Sequence, residues 1–424
     1  MNNQLALIGG TPVRKNRWRP WPAADRETEE VLLDVLYSER WALSGNYNGR
    51  KSYNKKFSQA FAQFCGVPYC ITTSSGSSAL LVSLRALNIK QGDEVIVPGN
   101  TWVACASAVI QLGAVPVLVD VEPDRLSISV DSVKKHISQH TKAVIVVHQS
   151  CSFANMSKFV QFSNQTNIPI IEDCSQAHGA KLMSRRVGSF GAMGVFSTQD
   201  SKVLTSGEGG IIVTSSSELF SRCSQIRADG RATIEHKKIG FPELKETGNI
   251  QGFNFNLSEF QAAILTERLK HLDIENATRR ANALILKRQL SDMDEIELLF
   301  NPSDEFEQCI YQLALRINRD AFNDLPIPII CEALSCELGA NVEHADIPLN
   351  RSPLLFPFEY FRLECGKAQK YHYDPSRYHL PNADNLSKNL VLLPHYMFLG
   401  DEADMKDITT ALKKVSRLSY LLTK

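Results

Sequence analysis

The chain has 424 residues, 43% of them hydrophobic and 22% charged, the balance of a globular protein with more apolar material than one core usually takes up. Lys+Arg and Asp+Glu are equal at 46 each, so no basic surplus points to nucleic acid, and no block of like charges marks a tail. The ten cysteines are Cys65, Cys70, Cys105, Cys151, Cys174, Cys223, Cys309, Cys331, Cys336 and Cys365. They contain no CxxC pair and read as reduced core thiols of a cytoplasmic protein.

The N-terminal segment to Pro20 lacks an apolar run of signal-peptide length, and residues 1–25 read as an irregular arm. Arg26 to Leu43 is predicted as an amphipathic helix with Val31, Leu32, Val35 and Leu36 on one face. Tyr53 to Cys65 is a second helix, with Phe57, Phe61 and Phe64 inward. The strand Tyr69 to Thr73 then runs into Ser74-Ser75-Gly76-Ser77-Ser78 and a helix from Ala79 to Leu87. A strand, a small-residue turn and a helix N-terminus suit an anion, since free N–H groups and the helix dipole point at it. An ordinary serine cap reads the same way.

Glu94 to Pro98 is the next strand, with Asn100 to Ala104 opening a helix. Trp102 reads either as core packing or as an aromatic plate for a flat ring. The region Val95 to Val121 is apolar but broken by Pro98, Gly99, Asn100, Gly113 and Pro116, so it is strand–helix–strand and not a membrane span. Val115 to Val121, Ala143 to His148 and Ile168 to Asp173 are further buried strands. Such an alternation predicts a mainly parallel sheet covered on both faces, with ligands beyond the carboxyl ends of its strands. Asp173 stands at such an end, placed for a cation or for capping the following turn.

Met193 to Phe196 is another strand, and Gly210 to Thr214 the one after it. The loop between them carries Lys202 and closes on Gly207, Gly209 and Gly210. A surface lysine in a hairpin is one reading. The other is an amine kept neutral by burial, which is a nucleophile toward an aldehyde. Past about residue 265 the pattern changes to a long charged helix, Leu269 to Leu290, a strand within Cys309 to Ile317 and a helix around Cys331 to Gly339. This predicts a large domain over 1–265 and a smaller α+β domain over 266–424. No metal constellation is expected; His372 and Asp374 lack a third ligand.

Taken together, the serine turn, Trp102, Asp173 and the Lys202 loop, in that order, resemble the pyridoxal-phosphate enzymes of the aspartate-aminotransferase fold. More narrowly they are similar to the DegT/DnrJ/StrS sugar aminotransferases. The resemblance extends to Ala6 through Arg14, Glu172-Asp173-Cys174-Ser175-Gln176-Ala177-His178-Gly179, Gly252-Phe253-Asn254-Phe255, Ser258 through Ala263, and Leu393-Pro394-His395. The segment Lys202 through Gly210 looks most like the branch acting on keto-cyclitols and keto-sugars in aminoglycoside-type antibiotic pathways. The resemblance implies an α/β, fold-type-I aminotransferase that uses pyridoxal 5'-phosphate. It would move an amino group from glutamine or glutamate to a keto-sugar or keto-cyclitol.

By position, the resemblance implies that Lys202 carries the cofactor and moves the proton, and that Asp173 pairs with the ring nitrogen. It places Gln176 by the ring hydroxyl and Trp102 on the ring face. Gly76, Ser77 and Ser197 would hold the phosphate, and Asn254 would reach the phosphate of the neighbouring subunit in a homodimer with shared sites. Asn256 stands where the family commonly has a basic residue. Two rival readings keep the fold: an enzyme eliminating or replacing groups on an amino-acid-derived substrate, and a regulatory relative that only binds the cofactor.

Overall fold

The structure is a computed structural model, and it describes every residue except 1–3, 124, 235–236, 304, 356–373 and 424. Seven strands form its main sheet: β1 (Tyr69–Thr73), β2 (Glu94–Pro98), β3 (Val115–Val119), β4 (Thr141–Val147), β5 (Ile170–Asp173), β6 (Met193–Ser197) and β7 (Gly210–Thr214). Their order is β1-β7-β6-β5-β4-β2-β3. The β3–β2–β4–β5–β6 pairs are parallel, and β7 runs antiparallel to both β6 and β1. Every strand buries at least four of its residues, on both faces, which is why the sequence shows continuous apolar runs and no alternation.

Because β7 alone is reversed, its first residue lies beside the last residue of β6: Gly210 pairs with Ser197. The loop carrying Lys202 therefore emerges at the same edge as the ends of β1, β2, β4 and β5. The helix Gly76–Ala86 starts directly after β1, three residues earlier than expected, capped by reciprocal hydrogen bonds between Ser75 and Ser78. The helix after β2 is shorter than expected and begins only at Ala104, leaving Asn100 to Val103 as a turn over the sheet edge.

The first helix spans Arg26–Tyr37, not Arg26 to Leu43. Ser38 caps it, Glu39 takes a left-handed φ of 57°, and Arg40 turns inward to pair with Glu243. Of its expected apolar face only Val35 is buried, and Leu36 is exposed. The carboxylate of Glu259 accepts from the Ser52 hydroxyl at 2.7 Å and from the Asn54 N–H at 3.2 Å, tying the helix Glu259–Arg268 to the start of the helix Tyr53–Cys65.

Helix Leu272–Gln289 leads to a second, four-stranded antiparallel sheet. Its strands are β8 (Ile296–Leu298), β9 (Gln312–Ile317), β10 (Glu343–His344) and β11 (Leu390–Pro394), in the order β8-β9-β11-β10. Helices Ile327–Leu338 and Glu402–Leu418 pack beside it. The segment between β10 and β11 returns to the main sheet, where the Leu349 N–H donates to the Gly99 carbonyl at 2.8 Å. Eight cysteines are buried; Cys336 is exposed, against the expectation of a core thiol, and Cys365 lies outside the described residues. No helix among the described residues is long and apolar enough to cross a membrane.

Candidate active site

The carboxyl edge of the main sheet gathers the groups singled out in the sequence. At the end of β1 the helix Gly76–Ala86 presents its first N–H groups, which have no partner inside a helix. Gly76 is required here by space: a Cβ on it would sit 2.7 Å from the Cβ of Ser197 at the end of β6. Ser77 is exposed at this mouth and Ser197 half-buried. Trp102, after β2, is 54% exposed, which removes the core-packing reading for the chain taken alone.

Asp173 is buried at the tip of β5, where its Oδ1 accepts from the Ser175 N–H at 3.0 Å and its Oδ2 from the Cys105 thiol at 3.2 Å. The Gln176 side chain accepts the Ser150 N–H at 2.6 Å, fixing the loop after β4. Lys202 is half-buried, and its Nζ lies 4.2 Å from the centre of the Tyr311 ring. Asn254 is exposed on the single chain and accepts from the Asn256 side chain at 2.9 Å; it is flanked by a 38% exposed Phe253 and by Phe255, whose carbonyl accepts the Ser74 N–H of the serine turn at 2.8 Å.

Two residues at the site, Trp21 and Tyr311, come from parts of the chain whose spacing gave no signal, and a third, His395, from the Leu393-Pro394-His395 motif. The Trp21 indole N–H donates to the Lys202 carbonyl at 3.2 Å. Tyr311, at the start of β9, contacts the Ser201 hydroxyl at 3.0 Å. His395 holds the Ser201 carbonyl at 3.1 Å through Nε2 and meets the Trp21 ring edge-on at 4.6 Å. The lysine loop is thus clamped by the N-terminal arm and by two strand ends of the second sheet. Burial pushes the His395 imidazole well below its usual range, with Arg279 adding to the effect, so it sits neutral and donates its Nε2–H to the Ser201 carbonyl.

His178 is fully buried and neither ring nitrogen finds a protein partner. Burial, then the nearby Lys202 charge, takes its pKa down to about 3. Asn100 and Gln149, at the ends of β2 and β4, are also buried with unpartnered side-chain atoms. Unpaired buried polar atoms are costly, and their concentration at one sheet edge marks a place built for a polar ligand.

A second cluster, His148, Glu172 and Cys174, brings three potential ligand atoms together beneath this edge. The Glu172 carboxylate is already saturated. Its two oxygens accept the N–H groups of Gly188, Phe190 and Gly191 at 2.6–2.8 Å, and His148 Nε2 lies 3.3 Å away. With about four lone-pair directions used, it anchors the 188–191 turn. Of His372 and Asp374, which the sequence did not mark as a metal site, His372 lies outside the described residues, as do Tyr371 and Tyr373, and Asp374 caps the turn Pro375–Arg377.

The profile of the DegT/DnrJ/EryC1/StrS aminotransferase family matches residues 22–413. The chain belongs to this family of aminotransferases. It is 42% identical over 414 residues, 97% of each chain, to an L-glutamine:2-deoxy-scyllo-inosose aminotransferase of Streptoalloteichus tenebrarius. It is 38% identical over 416 residues, 98% of each chain, to an L-glutamine:scyllo-inosose aminotransferase of Streptomyces griseus. Among solved structures it resembles an aminotransferase from Psychrobacter cryohalolentis with a TM-score of 0.80 at 25% identity, over 94% of this chain and 98% of that one. This family member therefore has the α/β aminotransferase fold expected from its sequence.

Proposed function

We propose that this aminotransferase uses pyridoxal 5'-phosphate to move the α-amino group of glutamine onto a keto-cyclitol of the inosose type, in the assembly of an aminoglycoside-like antibiotic. The observation that carries the reading is the convergence of a half-buried lysine, a buried carboxylate and an open helix N-terminus on one sheet edge. Relatives that share four residues in ten along nearly the whole chain bear names of that donor and that acceptor class.

The donor set fits the cofactor part by part. A phosphate suits the start of the helix Gly76–Ala86, where the first N–H groups have no partner inside the helix, Ser77 is exposed and Ser197 lies beside Gly76. A cationic ring nitrogen suits Asp173, whose two present donors leave lone pairs free. The unpartnered atoms of Asn100, Gln149 and His178 suit polar edges of a ring or substrate. Trp102 supplies an aromatic face, and Gln176 borders the ring from the loop that follows β5.

When bound, the cofactor supplies the carbonyl that takes up the amine and the ring that stores an electron pair. The protein supplies the rest. Lys202 holds the cofactor and then, as a free amine, takes the proton from the donor's α-carbon and returns one to the acceptor's ring carbon. Asp173 keeps the ring nitrogen protonated. Tyr311, His395 and Trp21 fix the loop so that the amine reaches both carbons.

The active unit in this reading is a cytoplasmic homodimer, with Asn254 completing the partner's phosphate site. Support comes from the exposed Phe253 beside Asn254, an apolar side chain that a partner subunit would cover. The chain divides near residue 265 into a cofactor-binding domain with its arm and a smaller domain that covers the substrate. The test is direct. The purified protein should absorb visible light, and borohydride should fix the cofactor on the peptide bearing Lys202. Label on another lysine would defeat the assignment.

A further inference from the structure

The carboxylate of Asp173 is held by two donors of unequal strength. The backbone N–H of Ser175 binds Oδ1 at 3.0 Å, while Oδ2 receives the thiol of Cys105 at 3.2 Å. Cys105 lies in the first turn of the helix Ala104–Ile110, 1% exposed, between the Asp173 carboxylate and the Thr101 hydroxyl, which is 3.6 Å from its sulfur. This short chain orders the protons. The Thr101 hydroxyl can donate to the sulfur, and the sulfur's proton then points at Oδ2. Burial, followed by the Asp173 charge, pushes the thiol well above its ordinary range, so it remains a neutral donor.

A thiol is a weak donor compared with a hydroxyl or an N–H. It can orient a carboxylate without drawing off much of its charge. We propose that Cys105 is a positioning residue for Asp173: its thiol fixes the carboxylate plane while leaving the charge on Oδ2 for the cofactor's ring nitrogen. The inference rests on the cofactor reading above. It makes Cys105 a determinant of how firmly the ring proton is held, and so of how well the ring stores electrons.

The test uses full-length protein loaded with pyridoxal phosphate labelled with 15N at the ring nitrogen. Wild type, Cys105→Ser and Cys105→Ala are compared by the 15N chemical shift and by the rate of the glutamine half-reaction. In Cys105→Ser the stronger hydroxyl donor should move the shift toward that of an unprotonated ring. The half-reaction should slow roughly tenfold, the equivalent of about one pKa unit. In Cys105→Ala the shift should stay at the protonated value while the rate falls, because charge is kept and orientation is lost. A Cys105→Ser shift identical to wild type would overturn the inference, as would wild-type rates in both variants. If the alanine variant fails to fold, the near-isosteric serine variant decides the matter by its shift alone. Failure of the wild type to bind the labelled cofactor would instead remove the underlying reading, and the inference with it.

Discussion

Asp173 shows what burial does for a single carboxylate at a strand end. It is 6% exposed, holds two hydrogen bonds, and has no basic side chain within ion-pair distance among the described residues. An anion so placed is stabilised by a cationic partner. Asp173→Asn should therefore retain the cofactor but lose about a hundredfold or more in the glutamine half-reaction, the scale of removing one preorganised electrostatic contact at a reacting centre. Rapid-mixing absorbance measures this, and an unchanged rate would reduce Asp173 to a cap for the Ser175 turn. That Asp173, the serine turn and the Lys202 loop share one sheet edge was legible, because apolar strands end or begin at each of them. The contacts of Cys105, Trp21 and Tyr311 were not. Their roles come from contacts across the fold, and a buried cysteine or tyrosine carries no local pattern that separates duty from packing.

At the scale of elements, the site depends on how closely β6 approaches the helix Gly76–Ala86. A methyl group at residue 76 would meet the Cβ of Ser197 at 2.7 Å and its Cα and Oγ at 3.2 Å. Gly76→Ala must push the two elements apart, a strain of about 1–3 kcal/mol. In the proposed reading the helix start holds the phosphate, so much of that strain should appear as weaker cofactor binding, about tenfold for each 1.4 kcal/mol. Cofactor titration of the apoprotein checks it, and wild-type affinity would move the phosphate elsewhere. Most strands were legible from their apolar runs to within a few residues. Helix ends were less so: the first helix stops at Tyr37 because Arg40 is drawn into Glu243, a partner two hundred residues on that no local signal announces.

For the whole molecule, the exposed Asn254 is the residue the single chain does not explain. Its Oδ1 is engaged by Asn256, and its backbone bridges Ala228, the buried residue that ends the helix Ser217–Arg227. In a symmetric dimer with shared sites, subunits bearing Lys202→Ala and Asn254→Ala are each inactive as pure dimers. Exchanged together, they form mixed dimers with one doubly damaged site and one intact site, so random pairing should restore about a quarter of wild-type activity. Mixed dimers without recovery would place Asn254 within its own subunit's cap of the helix Glu259–Arg268. A site shared between subunits is the proposal least legible in residue pattern, because no local signal says which exposed apolar segment a second copy would cover.

The central claim is that amine passes from glutamine to a keto-cyclitol through Lys202. It is tested most directly by incubating the protein and pyridoxal phosphate with glutamine labelled by 15N at the α-amino group and 2-deoxy-scyllo-inosose, then weighing the cyclitol product. The account predicts an aminocyclitol carrying one 15N with the wild type, and a rate lower by several orders of magnitude with Lys202→Ala. Unlabelled ammonia with no aminated cyclitol, or equal labelling by Lys202→Ala, would contradict it.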